Sequence, residues 1–116
     1  MSYGIKRQDN FNLMQLEINM LAEFGDFLAD GHVGNRVMSL RVERVWDKCE
    51  TIVFDFTGVH NITDSFVHAT FGNMVEDHGE DFMKKTRFKG CSPLIKSFLS
   101  IAIGVGMKRR HAQKLA

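Results

Sequence analysis

Thr51-Ile52-Val53-Phe54-Asp55-Phe56 runs into Thr57-Gly58-Val59-His60-Asn61-Ile62-Thr63 and then into Asp64-Ser65-Phe66, and the fold follows from how this stretch is read. The first segment is apolar at 52, 53, 54 and 56, the composition of a short buried strand. Ile52, Phe54 and Phe56 point to one face and Val53 to the other, which predicts a strand covered on both faces at the centre of an α/β sheet. Gly58 breaks the strand, and Asn61 or Thr63 offers an N-cap for a helix opening at Asp64. In open α/β sheets the working surface lies where a strand's carboxyl end meets the next helix's amino end, here residues 58–65.

Downstream, Phe66, Val67, Thr70, Phe71, Met74 and Val75 recur at three- and four-residue spacing, so the reading predicts a helix over 64–78 stopped by Gly79. The opposite stripe, Ser65, His68, Ala69, Gly72 and Glu76, is expected to face outward. A mid-helix glycine at 72 costs about 1 kcal/mol of propensity relative to alanine, which close approach by another surface would explain. Upstream, Met14, Leu16, Ile18 and Met20 alternate with Gln15, Glu17 and Asn19, predicting a half-buried strand beside the central one. Residues 22–28, with Phe24 and Phe27, read equally as a helical turn or a loop. Gly31 and Gly34 read as loop, with Asn35 capping a helix to about Lys48 that buries Met38, Val42, Val45 and Trp46 and turns Arg41, Arg44 and Lys48 to another face. Thr86 and Phe88 alternate with Lys85, Arg87 and Lys89 in a strand expected over 84–90, whose lysines discourage edge-to-edge pairing. Ser92 and Pro93 then cap and open a last helix, burying Leu94, Ile95, Phe98, Leu99, Ala102 and Ile103, while Ile101 and Val105 leave apolar surface for a homodimer or partner contact.

With 116 residues, 44% of them hydrophobic, the chain fits one domain over 11–107, preceded by a flexible segment 1–10 and followed by a basic tail 108–116. A formal net charge of +1 makes no demand for nucleic acid or an anionic membrane. Cys49 and Cys91 match no metal-ligand spacing, and no secretory signal or membrane-spanning run is evident, so a cytoplasmic protein with reduced thiols is expected. The Gly31-x-x-Gly34 pair lacks the Lys-Ser/Thr of a phosphate loop, and no cofactor is expected.

The run Val53-Phe54-Asp55-Phe56-Thr57-Gly58-Val59, with Ile62-Thr63-Asp64-Ser65-Phe66 and Phe71-Gly72, resembles the STAS-like domains of unknown function, and through them the STAS domains of anti-sigma factor antagonists and sulphate transporters. The likeness extends over about Met14 to Ile103, taking in Gly31, Gly34, Arg36 and the run from Phe88 to Ile95. It implies a small mixed sheet packed with helices. In bacterial anti-sigma factor antagonists a serine beside an aspartate at this helix start is phosphorylated by a partner ATPase of the histidine-kinase type. Asp64-Ser65 is the matching neighbourhood, and Ser65 the candidate phosphorylation site.

The leading expectation is therefore a non-enzymatic regulatory module that binds a protein partner through Gly58, Asn61, Thr63, Asp64, Ser65, His68, Gly72 and Glu76, with Asp55 and Thr63 also serving as ordinary turn and cap residues. A second reading makes Ser65 or a cysteine a nucleophile with His60 or His68 as base, but no orienting third residue or oxyanion site is visible. A third places nucleic acid on Arg41, Arg44 and Lys48 and on the tail cluster Lys108-Arg109-Arg110-His111 with Lys114. That tail lacks interleaved aromatics, and cations at a helix C-terminus have a simpler cause in the macrodipole. His32, His60, His68 and His78 show no metal-ligand spacing.

Overall fold

The computed structural model describes the backbone of residues 5–7 and residues 14–115. Its first strand, β1 (Ile5–Arg7), pairs antiparallel with β2 (Met14–Asn19), Ile5 opposite Leu16 and Arg7 opposite Met14. Part of the expected flexible N-terminus is thus a strand; the remainder lies outside the described residues. Asn19 ends β2 by accepting the Ala22 N–H at 3.0 Å, capping the short helix α1 (Met20–Phe24). Gly25, at φ 85°, turns the chain into β3 (Phe27–Leu28). Helix α2 (Gly31–Met38) then widens into a π-helical turn at Ser39–Glu43 before β4 (Cys49–Asp55). After β5 (Asn61–Ile62) come α3 (Asp64–Val67), a second π-helical turn at His68–Gly72, and α4 (Asn73–His78), which Gly79 ends at φ 64°. Helix α5 (Glu80–Lys85), strand β6 (Thr86–Lys89) and the long helix α6 (Pro93–Leu115) complete the chain.

The main sheet has the order β1-β2-β4-β6, with β2 and β6 parallel to the central β4. Ile18, Phe54 and Phe88 lie side by side across it. Leu16, Ile18, Ile52, Phe54 and Phe56 are buried under Phe66, Phe71 and Phe82. Phe54 meets Phe71 edge-on at 5.0 Å, a favoured aromatic geometry. Each such buried side chain stabilises the fold by about 1.5–3 kcal/mol.

Coverage of β4 differs from expectation. Its other face, Thr51, Val53 and Asp55, is only half-buried and continues into Gln15, Glu17, Arg87 and Lys89 of the flanking strands. Val53 is the one apolar residue of that set, too little to hold a second helical layer.

The two π turns have a common cause. Apolar or small residues repeat every fourth position at Gly34, Met38, Val42 and Trp46, and again at Phe66, Thr70 and Met74 and at Val67, Phe71 and Val75. At about 100° per residue a strict four-residue repeat drifts by about 40° each step. One wider turn in each helix cancels that drift and keeps the stripe on the sheet.

Three boundaries are corrected. Helix α2 begins at Gly31, capped by Asp30 and not Asn35, and takes in both glycines. The segment before β6 is helical through Lys85, because Gly79 and the acidic pair Glu80-Asp81 start a new turn. The basic tail is not separate: α6 continues through it to Leu115. Ser92 caps α6 as expected, accepting the Ile95 N–H at 3.2 Å, whereas Leu94, expected inside, is 47% exposed.

Candidate functional site at the paired helix starts

Strands β3 and β5 pair in parallel, Phe27 with Asn61 and Leu28 with Ile62, and each leads within three residues into a helix. The starts of α2 and α3 therefore lie side by side. Asp30 caps α2, accepting the His32 and Val33 N–H groups at 3.0 and 3.1 Å. Thr63 caps α3, its hydroxyl accepting the Phe66 N–H at 3.1 Å while donating to the Ala29 carbonyl at 3.1 Å. One hydroxyl thus closes one helix and fastens it to the approach of the other.

The helices touch through glycine. A Cβ at Gly31 would lie 2.8 Å from the Ser65 carbonyl oxygen and 2.9 Å from its Oγ, and one at Gly34 would lie 2.5 Å from the Phe66 ring. The turn feeding β5 is held by Asp55, which accepts the Thr57 N–H at 2.9 Å and hydroxyl at 2.6 Å. Those hydrogen bonds, hydroxyl first, hold the Asp55 carboxyl below its ordinary pKa, with the Lys89 ammonium adding to them. Gly58 follows at φ 86°, with Leu21 lying over it.

Around these starts the surface is apolar. Leu21, Phe27 and Val33 are 39%, 52% and 36% exposed. A cleft of about 310 Å³ is lined by Phe24, Phe27, Val33 and Phe66 and rimmed by Glu23 and Asp30. Sequence reasoning missed this cleft, because Val33 fell in an assumed loop and the state of Phe27 was open. The signal available was a set of apolar residues in a segment too short to bury them all.

The expected partner-binding residues separate into two groups. Gly58, Asn61, Asp64 and Ser65 are exposed at this end, with Thr63 half-buried as the cap. His68 is half-buried, Gly72 is buried, and Glu76 is half-buried and accepts a hydrogen bond from the Gln113 amide. The stripe expected to face outward receives α6 instead: a Cβ at Gly106 would lie 2.6 Å from the Gly72 carbonyl oxygen. The approaching surface that Gly72 implied is the chain's own last helix.

Other candidate chemistry is not assembled. Among the described residues no hydrogen bond joins Ser65 to His60 or His68, and no group of three His, Cys, Asp or Glu side chains is placed to hold a metal ion. Burial pushes the Cys49 thiol up against the opposing pull of Lys85, and pushes Cys91 up against that of Lys96, so both favour the protonated form. Arg41 is engaged by Glu23, and Arg110 donates to the Glu76 and Asp77 carbonyls at 2.9 and 2.8 Å, capping α4. One cation of each expected basic face is thus tied to the fold, while Arg44, Lys48, Lys108, Arg109 and Lys114 are exposed. No helix among the described residues is long and apolar enough to cross a membrane.

A family model described as STAS-like domain of unknown function (DUF4325) matches residues 34–96, more than half of the 116. The chain belongs to this STAS-like family. The match begins inside α2 and ends in the first turn of α6, so it contains β4, the Thr57–Ser65 approach and both sides of the α2–α3 contact from Gly34 onward. Phe24 and Phe27 of the cleft lie ahead of the matched STAS-like span, and most of α6 lies beyond it. No curated protein and no solved structure matches the chain.

Proposed function

We propose that this STAS-like chain is a non-enzymatic regulatory module that docks a protein partner on the paired helix starts, in the manner of a bacterial, cytoplasmic anti-sigma factor antagonist. The observation that carries this reading is the exposure of Leu21, Phe27 and Val33 at the end of the molecule where Ser65 is also exposed. Exposed apolar residues beside a cleft rimmed by Glu23 and Asp30 favour a macromolecular contact through an apolar anchor. The partner suited to it is a histidine-kinase-like ATPase that phosphorylates Ser65 and is thereby released.

The electrostatics favour such release. A phosphate on Ser65 adds about −1.5 to −2 charges, and it would stand beside Asp64 and across from Asp30, next to the Gly31 contact. Docking would then desolvate a cluster of like charges, at a cost of several kcal/mol. Each 1.4 kcal/mol is about tenfold in affinity.

The test is affinity capture from the source cell's lysate with wild type, Ser65→Glu and Phe27→Ser, bound proteins being identified by mass. A specific ATPase held by wild type and lost from both variants supports the proposal. Equal capture by all three moves docking away from the helix starts and leaves Ser65 a first-turn residue.

A further inference from the structure

The main sheet ends at β6, with no strand beyond it among the described residues. The Lys89 carbonyl accepts the Phe56 N–H at 2.8 Å, so the main-chain groups of Arg87 and Lys89 face β4 and those of Thr86 and Phe88 face outward. Both outward groups of Thr86 are occupied: its N–H bonds the Phe82 carbonyl, and its carbonyl accepts the Arg87 guanidinium at 2.8 Å. The outward N–H and C=O of Phe88 have no protein partner among the described residues.

Beside this edge a groove of about 480 Å³ runs between β6 and α6. Its walls include Met83, Phe88, Leu99 and Ile103, with Cys91 in its lining, and Lys96 is its one charged residue. Met83, at 41% exposed, leaves apolar surface open to solvent. Arg87 is exposed and, beyond the Lys84 and Thr86 carbonyls to which its guanidinium donates at 3.1 and 2.8 Å, has no carboxylate partner among the described residues, and Lys89 remains 56% exposed despite Glu17 at 3.2 Å and Asp55 at 3.8 Å.

We propose that β6 and the groove beside it bind an extended peptide segment of alternating apolar and acidic residues, added to the sheet as a further strand. The Phe88 main chain supplies the hydrogen bonds, the groove receives the apolar side chains, and Arg87 and Lys89 meet the acidic ones. Strand addition beside a helix-walled groove divides labour in this way, main chain for affinity and alternate pockets for specificity. Charge selects this occupant over a second copy of the chain: β6 against β6 would set Arg87 and Lys89 against like charges, which is destabilising. This site is separate from the paired helix starts and stands whether or not a partner docks there.

The test uses a set of fluorescent, end-capped octapeptides in which Val, Ile, Leu or Phe fills the alternate apolar positions and Glu or Lys the others. Anisotropy gives the affinities for the full chain. Because Cys49 is buried, iodoacetamide labelling reports the half-buried Cys91 beside the groove. At least one Glu peptide should bind about tenfold or more tighter than its Lys counterpart and slow Cys91 labelling severalfold. Arg87→Glu should narrow that preference, and Met83→Ser should weaken binding with the circular dichroism unchanged. The proposal is overturned if no Glu peptide binds below about 1 mM, a weak limit for a specific contact. It is equally overturned if the Lys series binds as well, if N-methylation of the edge-facing amides leaves binding intact, or if saturating peptide leaves Cys91 labelling unchanged.

Discussion

Two helix seams cross this molecule, and each is closed by glycine. In the first, Gly31 and Gly34 of α2 lie against Ser65 and Phe66; in the second, Gly106 of α6 lies against the Gly72 carbonyl and Val75. The second seam is sealed where it ends, by Arg110 on the Glu76 and Asp77 carbonyls and by Gln113 on Glu76. The first opens into a cleft with Phe27 and Val33 exposed at its mouth. Close approach of backbones is therefore a packing device in both places. What distinguishes the first is the apolar area left uncovered at its end.

The largest effect is expected in the sealed seam. Gly106→Leu forces a side chain into a carbonyl that cannot move aside, and should cost about 3 kcal/mol or more in urea unfolding, at the upper end of overpacking penalties. Gly34→Ala should cost about 2 kcal/mol, because its new Cβ meets a Phe66 ring already held edge-on by Phe24 at 5.2 Å. If the two costs are equal, the open seam is as rigid as the closed one, and the comparison fails.

Thr63→Ala should cost about 1 kcal/mol, the usual worth of an N-cap. Smaller again is Gly72→Ala, whose Cβ would find the Ala102 carbonyl at an ordinary 3.5 Å. It should be neutral or stabilise by a few tenths of a kcal/mol through helix propensity, which would assign the constraint in this seam to Gly106 alone.

Acid unfolding sharpens the comparison at the approach to the first seam. Asp55 has a folded pKa lowered from 3.8, so the stability it contributes is present above that value and is lost as pH falls through the folded value. Thr57→Val removes the largest cause of the shift. The stability gap between wild type and variant, followed by denaturant titration, should be widest at neutral pH and close below pH 3.8.

Much of this architecture was legible in the sequence where a pattern repeats. Alternation marked β2, and the apolar density of 52–56 marked β4 as the central strand. Phe66, Val67, Thr70, Phe71, Met74 and Val75 are all buried as their spacing implied, and Gly79 does stop the helix. Glycine was the ambiguous letter: Gly31 and Gly34 read as loop because nothing local says that a helix needs them bare, and only Ser65 and Phe66 arriving from elsewhere supply the reason. The outer stripe was misjudged in the same way, since α6 reaches it from 34 residues further along the chain. The exposure of Phe27 is likewise a tertiary fact, as a lone aromatic beside a turn reads equally well as buried or exposed.

The π turns at Ser39–Glu43 and His68–Gly72 carry a consequence for how this domain tolerates change in length. A π turn holds one residue more than the regular helix around it, so it behaves as an insertion already absorbed. Deleting a residue there would restore a plain α-helix and leave the downstream half close to its present phase. Inserting a further one would swing that half by about 100° and take Met74 and Val75 out of the core. For these two helices the phase of the chain, more than the identity of any one side chain, is what the fold has to conserve.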